Sequence, residues 1–87
     1  MPPIVVYTSP LCSYCAAAKA LLNRKGAAFT EINVAGKPAQ RAEMVKRAGG
    51  STTVPQIFIG EDHIGGCDEL YALEEAGRLD TLLAGGA

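Results

Sequence analysis

The hydrophobic positions fall into short blocks, and the period within each block predicts its element. Ile4-Val5-Val6-Tyr7 is an unbroken β-prone apolar run, the pattern of a strand buried on both faces. From Tyr14 the spacing turns helical: Tyr14, Ala18, Leu21 and Leu22 share one face, with Lys19 and Asn23 off it. Arg24 and Lys25 suit the negative end of a helix dipole and Gly26 the position beyond it, so a helix is expected over about Ser13 to Lys25. Ala28 to Val34 forms a second strand, with Thr30, Ile32 and Val34 on one side and Phe29 on the other. Strand, helix and strand in that order predict that the two strands run parallel. Pro38 opens a second helix that runs to about Ala48 and stops at Gly49-Gly50, with a thin apolar stripe of Ala42, Val45 and Ala48. Gln56-Ile57-Phe58-Ile59, the turn Gly60-Glu61-Asp62 and the short strand His63-Ile64 make a hairpin. Asp68 begins the last helix, which turns Leu70, Leu73 and Ala76 inward. Gly77 interrupts it, Leu79, Leu82 and Leu83 resume the apolar face, and a loose Gly85-Gly86 tail follows. The predicted order is β-α-β-α-β-β-α, an α/β arrangement in one domain over residues 1–87.

Composition narrows the function. A chain of 87 residues supports one modest core, and 48% hydrophobic with 20% charged residues is ordinary for a globular protein. The net charge of −1 comes from 8 basic and 9 acidic residues that alternate, which argues against nucleic acid or an anionic membrane as the main partner. Met1-Pro2-Pro3 leads straight into a strand with no basic or long apolar leader, so the reducing cytosol is the expected compartment. Three cysteines are an odd number, which precludes a complete disulfide framework within the chain. In a reducing compartment a Cys-x-x-Cys pair points to redox or metal chemistry.

Cys12-Ser13-Tyr14-Cys15 stands where the first strand stops and the first helix begins. A helix N-terminus carries unpaired N–H groups and partial positive charge, which favour an anion. Cys12, nearer that end and more exposed, is expected to have the lower pKa and to attack; Cys15, a turn deeper, resolves. A fall in thiol pKa from ~8.5 to ~5.5 raises the thiolate fraction at neutral pH about thirtyfold, while intrinsic nucleophilicity drops roughly twentyfold. The gain therefore lies mainly in Cys12 as a leaving group. The alternative is a zinc site of Cys12, Cys15, His63 and Cys67. The His63–Cys67 spacing is unusual for one, and the core is regular without metal.

Two further segments carry candidate chemistry. Pro55 stands just before a strand; a cis Val54–Pro55 bond would turn the Val54 backbone outward to pair with an extended peptide, whereas a trans bond is an ordinary strand start. In Gly65-Gly66-Cys67-Asp68, two glycines permit close approach and the N–H groups of Cys67 and Asp68 open a helix. A carboxylate would suit those N–H groups and an ammonium the Asp68 side chain, which together describe an amino acid or a γ-glutamyl peptide. The alternative is a tight turn with Asp68 as N-cap.

Taken together, Cys12-Ser13-Tyr14-Cys15, Thr53-Val54-Pro55 and Gly65-Gly66-Cys67-Asp68 resemble the dithiol glutaredoxins, above all the small bacterial ones, over nearly the whole chain. The resemblance implies a thioredoxin fold, with a four-stranded mixed sheet flanked by helices and a cis Pro55. It implies a glutathione-dependent thiol–disulfide oxidoreductase acting on protein–glutathione mixed disulfides and on protein or low-molecular-weight disulfides. Cys12 would carry the glutathionyl group, with Cys15 resolving. Tyr14, Thr53, Val54, Pro55, Gly66, Cys67 and Asp68 would line the glutathione groove. The expected state is a monomer without resident metal. In the family a Ser-Tyr centre is also associated with a glutathione-dependent [2Fe–2S] cluster bridging two subunits, with Cys12 as the ligand here. A second alternative is a relative reduced by thioredoxin reductase. The chain departs from the family pattern in three places: Ser13 replaces a common proline, Ser9 a common lysine, and Gly50-Ser51 a common basic residue. Gln40, Arg41 and Lys19 are candidates to bind the glycyl carboxylate instead. Cys67 is expected to be a small packed residue near the groove and His63 an ordinary hairpin residue.

Overall fold

The computed structural model describes residues 2–85, so Met1 and Gly86 of the expected tail lie outside the described residues. Strand β1 (Ile4–Thr8) is central: it pairs in parallel with β2 (Thr30–Asn33) and antiparallel with β3 (Gln56–Ile59). β3 pairs antiparallel with β4 (Asp62–Gly65), giving a mixed four-stranded sheet in the order β2-β1-β3-β4. α1 (Ser13–Arg24) and α3 (Cys67–Glu75) cover one face, with α4 (Leu79–Leu83) beside α3. α2 (Pro38–Arg47) covers the other. This is the thioredoxin fold that the sequence implies, with the first two strands parallel as expected. Among the described residues no helix is long and apolar enough to cross a membrane.

The all-apolar runs sit where the sheet is covered on both sides. Ile4, Val6, Ile57 and Ile59 pack toward α1 and α3, against Ala18, Leu21, Leu22 and Leu70. Tyr7 and Phe58 point the other way, toward Met44 of α2 and Ala48 just after it, with their rings edge to face at 5.8 Å. Each fully buried leucine contributes about 1.5–3 kcal/mol of transfer free energy, so the α1–α3 side is the larger apolar reservoir.

Several boundaries and faces differ from expectation. Tyr14 does not share the core face of α1: it is 63% exposed, and Cys15 takes the inward position beside Ala18, Leu21 and Leu22. Tyr14 stands in the first turn of α1, turned toward the Thr53–Pro55 loop and the start of α3. The second strand is shorter than Ala28–Val34, and β4 extends to Asp62 and Gly65. On α2, Met44 is fully buried while Ala42 is exposed, because the covered face follows Met44 and Ala48 at helical spacing. Ala76 is exposed rather than inward. The last helix is two helices. The N–H of Gly77 donates to Glu74 O at 3.0 Å and that of Arg78 to Leu73 O at 2.9 Å, with Gly77 at φ +71°. That left-handed C-terminal closure suits glycine, and it turns the chain so that α4 packs as a separate element.

Candidate active site

Cys12 is the N-cap of α1. Its backbone is extended and its sulfur accepts the N–H of Cys15 at 3.1 Å, while the Cys12 carbonyl accepts the N–H of Ala16. A backbone donor and the positive end of the helix dipole therefore converge on this sulfur. Ser13 is the first helical residue, and the cap that a serine could have supplied is made by Cys12 itself. Preceding it, Leu11 is fully exposed and held at φ 57°, a left-handed conformation that costs a non-glycine residue roughly 1–2 kcal/mol. Nothing in the sequence signals that conformation, since leucine has no preference for it.

The three thiols occupy different surroundings. All are free, with Cys12 half-buried and Cys15 and Cys67 buried. Burial pushes the Cys15 thiol up to about 11, helped by its hydrogen bond with Cys12 and by the Cys12 charge, and opposed by the Ser9 backbone and the Lys19 ammonium. Burial also raises Cys67, with the Asp68 carboxylate next in effect, then Cys12 and Glu69.

On one side of Cys12 lies a groove of about 180 Å³ lined by Tyr14, Thr53, Val54, Pro55, Gly66, Cys67, Asp68 and Glu69. The structure thus brings all seven residues singled out beside the cysteines to one surface. The Val54–Pro55 bond is cis. The Val54 carbonyl lies 4.0 Å from the Cys12 sulfur, which joins the groove to the thiol. The opposite wall is the start of α3. The helix begins at Cys67, so Asp68 is inside the first turn and is not the N-cap; Gly66 is. The capping carboxylate is Glu69, whose Oε1 accepts the Gly66 N–H at 2.7 Å. Glu69 was not singled out from sequence, although Gly66-x-x-Glu69 has the spacing of that cap. Gly65 takes φ +111°, and a Cβ there would fall 2.8 Å from Glu69 Oε1, so the turn into α3 requires glycine.

On the other side of Cys12 a second groove, about 480 Å³, runs between the Cys12 loop and β2 and includes Lys19, Glu31 and Asn33. Lys19 Nζ pairs with Glu31 Oε2 at 3.0 Å, and the buried Thr8 hydroxyl donates to the same oxygen at 2.7 Å. The Thr8 hydroxyl first, and then Lys19, hold the Glu31 carboxyl below its ordinary range. Of the three candidate partners for a ligand carboxylate, Lys19 is thus engaged on the far side and Gln40 is exposed on α2. Arg41 donates from Nη1 to Thr52 O at 3.1 Å, next to the Thr53–Pro55 loop. His63 is turned onto Phe58 and Gln56, and among the described residues no three His, Cys, Asp or Glu side chains group as a metal site.

A family model described as glutaredoxin matches residues 4–64. The glutaredoxin of Pseudomonas aeruginosa is 62% identical over 84 residues, covering 97% of this chain and 99% of that protein. The crystal structure of a buckwheat glutaredoxin–glutathione complex is similar with a TM-score of 0.87 at 33% identity, over 97% of this chain and 78% of that one. A structure described as metal binding of glutaredoxins is similar with a TM-score of 0.72 at 58% identity, over 95% of this chain and 89% of that one.

Proposed function

The chain belongs to the glutaredoxin family of glutathione-dependent thiol–disulfide oxidoreductases, and on that premise we propose that it reduces protein–glutathione mixed disulfides and protein or low-molecular-weight disulfides, with Cys12 as nucleophile and Cys15 as resolving thiol. The observation that carries the reading is the contrast between the thiols. Cys12 is half-buried, receives a backbone N–H, and lies 4.0 Å from the Val54 carbonyl of the groove wall, whereas Cys15 is buried behind it.

In the monothiol route the Cys12 thiolate attacks the glutathionyl sulfur of the substrate, and the protein thiolate leaves and takes up a proton. A second glutathione thiolate then attacks that sulfur. Cys12 departs as thiolate and glutathione disulfide is released. Its departure is assisted by the Cys15 N–H that meets the returning charge. In the dithiol route Cys12 attacks one sulfur of a protein disulfide. Cys15 loses its proton and attacks the Cys12 sulfur, closing the Cys12–Cys15 disulfide and freeing the reduced protein. Two glutathiones then reduce that disulfide and leave as glutathione disulfide. Cys15 gains reactivity at the right moment. Once Cys12 is in a disulfide it has no charge or acceptor to hold the Cys15 proton, and only burial still opposes ionisation.

For glutathione itself, the N–H groups of Cys67 and Asp68 suit the γ-glutamyl carboxylate, and the Asp68 carboxylate suits the ammonium. The Val54 backbone suits the cysteinyl amide, with Tyr14, Thr53, Pro55 and Gly66 completing the walls. For the glycyl carboxylate, with Ser9 where the family has a lysine, Arg41 is the candidate we favour among Gln40, Arg41 and Lys19, because it contacts Thr52 next to the Thr53–Pro55 loop. The chain acts as one domain, as a monomer, in a reducing compartment such as the cytosol.

The test is turnover of a glutathionylated peptide, coupled to glutathione and glutathione reductase, by wild type, Cys12→Ser and Cys15→Ser. Cys12→Ser is expected to lose all activity, and Cys15→Ser to keep deglutathionylation while losing reduction of a protein disulfide. Retained activity in Cys12→Ser refutes the assignment of roles. Reduction driven by thioredoxin reductase without glutathione would move the protein to the other class of relative.

A second reading, a [2Fe–2S] cluster, is favoured by the metal-binding relative and by the donor set. Cys12 alone among the three thiols is not buried, so four sulfur ligands require two chains and two glutathiones. The cluster would add iron–sulfur storage or transfer to the thiol chemistry. Anaerobic purification with glutathione should then give a brown dimer that Cys12→Ser does not form; a colourless monomer sinks the reading.

A further inference from the structure

Gln56 is a polar side chain buried in the sheet, 2% exposed, and its amide is fully engaged. Nε2 donates to Thr53 O at 2.9 Å, to Ser51 Oγ at 2.9 Å and to Thr53 Oγ1 at 3.2 Å. A carbonyl oxygen can only accept, so the Thr53 contact fixes which way the amide points: its NH₂ faces the loop that ends in Val54–Pro55, and its Oε1 faces away. Oε1 meets His63 Nε2 at 2.7 Å, and so His63 carries a proton on Nε2. The imidazole is held for this contact by stacking on Phe58, centroids 4.9 Å apart and planes at 25°.

The strand register explains what that contact joins. Phe58 pairs with His63 but Ile57 pairs with Gly65, so Ile64 is an extra residue on β4. Gln56 lies on the same face as Phe58 and diagonal to His63, within reach of a long side chain. Going backward from Gln56 the chain becomes the Thr53–Pro55 loop; going forward from His63 it becomes Gly65, Gly66 and the start of α3. The His63–Gln56 bond thus ties together the two segments that form opposite walls of the groove.

We infer that His63, acting through Gln56, is a positioning residue for the groove, holding the Thr53-Val54-Pro55 loop at its working distance from Gly66-Cys67-Asp68. The inference rests on the reading of that groove as the glutathione site. His63 touches no ligand there; it completes an otherwise unmet acceptor, and the amide so oriented grips Thr53 from beneath.

The experiment uses His63→Phe, which keeps the aromatic stack on Phe58 and removes the donor, with Gln56→Met and the double variant beside it. The Michaelis constant for a glutathionylated peptide should rise about three- to tenfold in His63→Phe, as for loss of roughly one buried hydrogen bond, with kcat within about twofold. The double variant should be no worse than Gln56→Met, because the two residues act as one unit. Hydrogen exchange supplies a readout that needs no activity: the Ser51–Gln56 segment should exchange faster in His63→Phe, by more than the slowest core amides do, while the melting temperature falls by only about 4–8 °C. Unchanged Michaelis constant and unchanged exchange in a folded His63→Phe protein overturn the inference, as does a fall confined to kcat. Wild-type protein that lacks glutathione-dependent turnover would instead defeat the reading of the groove, and the exchange measurement alone would then decide the role of His63.

Discussion

The two faces of the sheet hold the two halves of the site by different means. Toward α1, α3 and α4 the strands present Ile4, Val6, Ile57 and Ile59 to a layer of alanine and leucine side chains. Helices α1 and α3 are seated on that layer, and each delivers its N-terminus to the site, one with Cys12 and the other with Gly66 and Cys67. Toward α2 the sheet presents Tyr7, Gln56, Phe58 and His63, and a single helix with Met44 and Ala48 buried covers only part of them. There the contacts are directional: Arg47 Nη1 donates to the Tyr7 hydroxyl at 2.9 Å, its guanidinium stands 4.3 Å from the Phe58 ring centre, and Gln56 reaches into the Thr53–Pro55 loop. Apolar packing is strong but indifferent to small shifts, whereas each hydrogen bond contributes little and specifies direction. One wall of the groove is thus set by packing and the other by aim.

The contrast breaks most readily in stability. Leu70→Ala removes a fully buried side chain from the α3 side and should cost about 2–5 kcal/mol, lowering the melting temperature by roughly 10 °C or more. Val45→Ala, half-buried on α2, should cost about 1 kcal/mol or less. Equal losses in thermal or urea unfolding would mean that the α2 side is packed as tightly as the other, and the division fails.

The packed side was also the more legible. Ile4, Val6, Leu21, Leu22, Ile57 and Ile59 announce themselves because burial imposes a period, and their strands and helix are expected nearly where they occur. Tyr14 and Ala42 misled because helical spacing says which residues share a face but not how far the fold covers it. The three motifs of the groove were visible as short strings, since cysteines, a proline and glycines each impose local chemistry. The role of Glu69 is legible only in the three-residue spacing of Gly66 and Glu69, a weak signal because glycine supplies no capping side chain. The His63–Gln56 contact had no sequence signal, because it depends on a hairpin register that one extra residue, Ile64, decides.

A second test concerns the thiol that burial controls. In the reduced protein burial pushes the Cys15 thiol up to about 11, and in the mixed disulfide, with the Cys12 charge gone, burial still opposes its ionisation, so its thiolate is a minor species at neutral pH that climbs by up to about tenfold per pH unit. On the thiol roles proposed above, reduced protein mixed with a protein disulfide, without glutathione, passes through the Cys15 step. Its rate of releasing reduced substrate should therefore rise with pH between about 7 and 9. The same protein mixed with a glutathionylated peptide releases the peptide thiol without Cys15. The difference between the two pH slopes, up to one decade per unit, measures the burial of Cys15. Parallel slopes would show that Cys15 is already ionised across this range, and that burial in the packed face does not hold its proton.

The smallest effect bears on the other face. Arg47→Met keeps the alkyl stem over Tyr7 and Phe58 while removing the charge above the Phe58 ring and the donor to the Tyr7 hydroxyl. The expected loss is about 1 kcal/mol, a fall of roughly 4–8 °C in melting temperature. Arg47→Lys should lose nearly as much, because an ammonium restores the charge but not the planar group that stacks on Phe58 while donating to Tyr7. Turnover should stay near wild type in both, since the His63 stack on Phe58 and the Gln56 contacts do not pass through Arg47. A rise in the Michaelis constant for the glutathionylated peptide, matching that of His63→Phe, would extend the aiming network to α2. A loss as large as that of Leu70→Ala would instead show that one guanidinium seals its face as firmly as a fully buried leucine seals the opposite one.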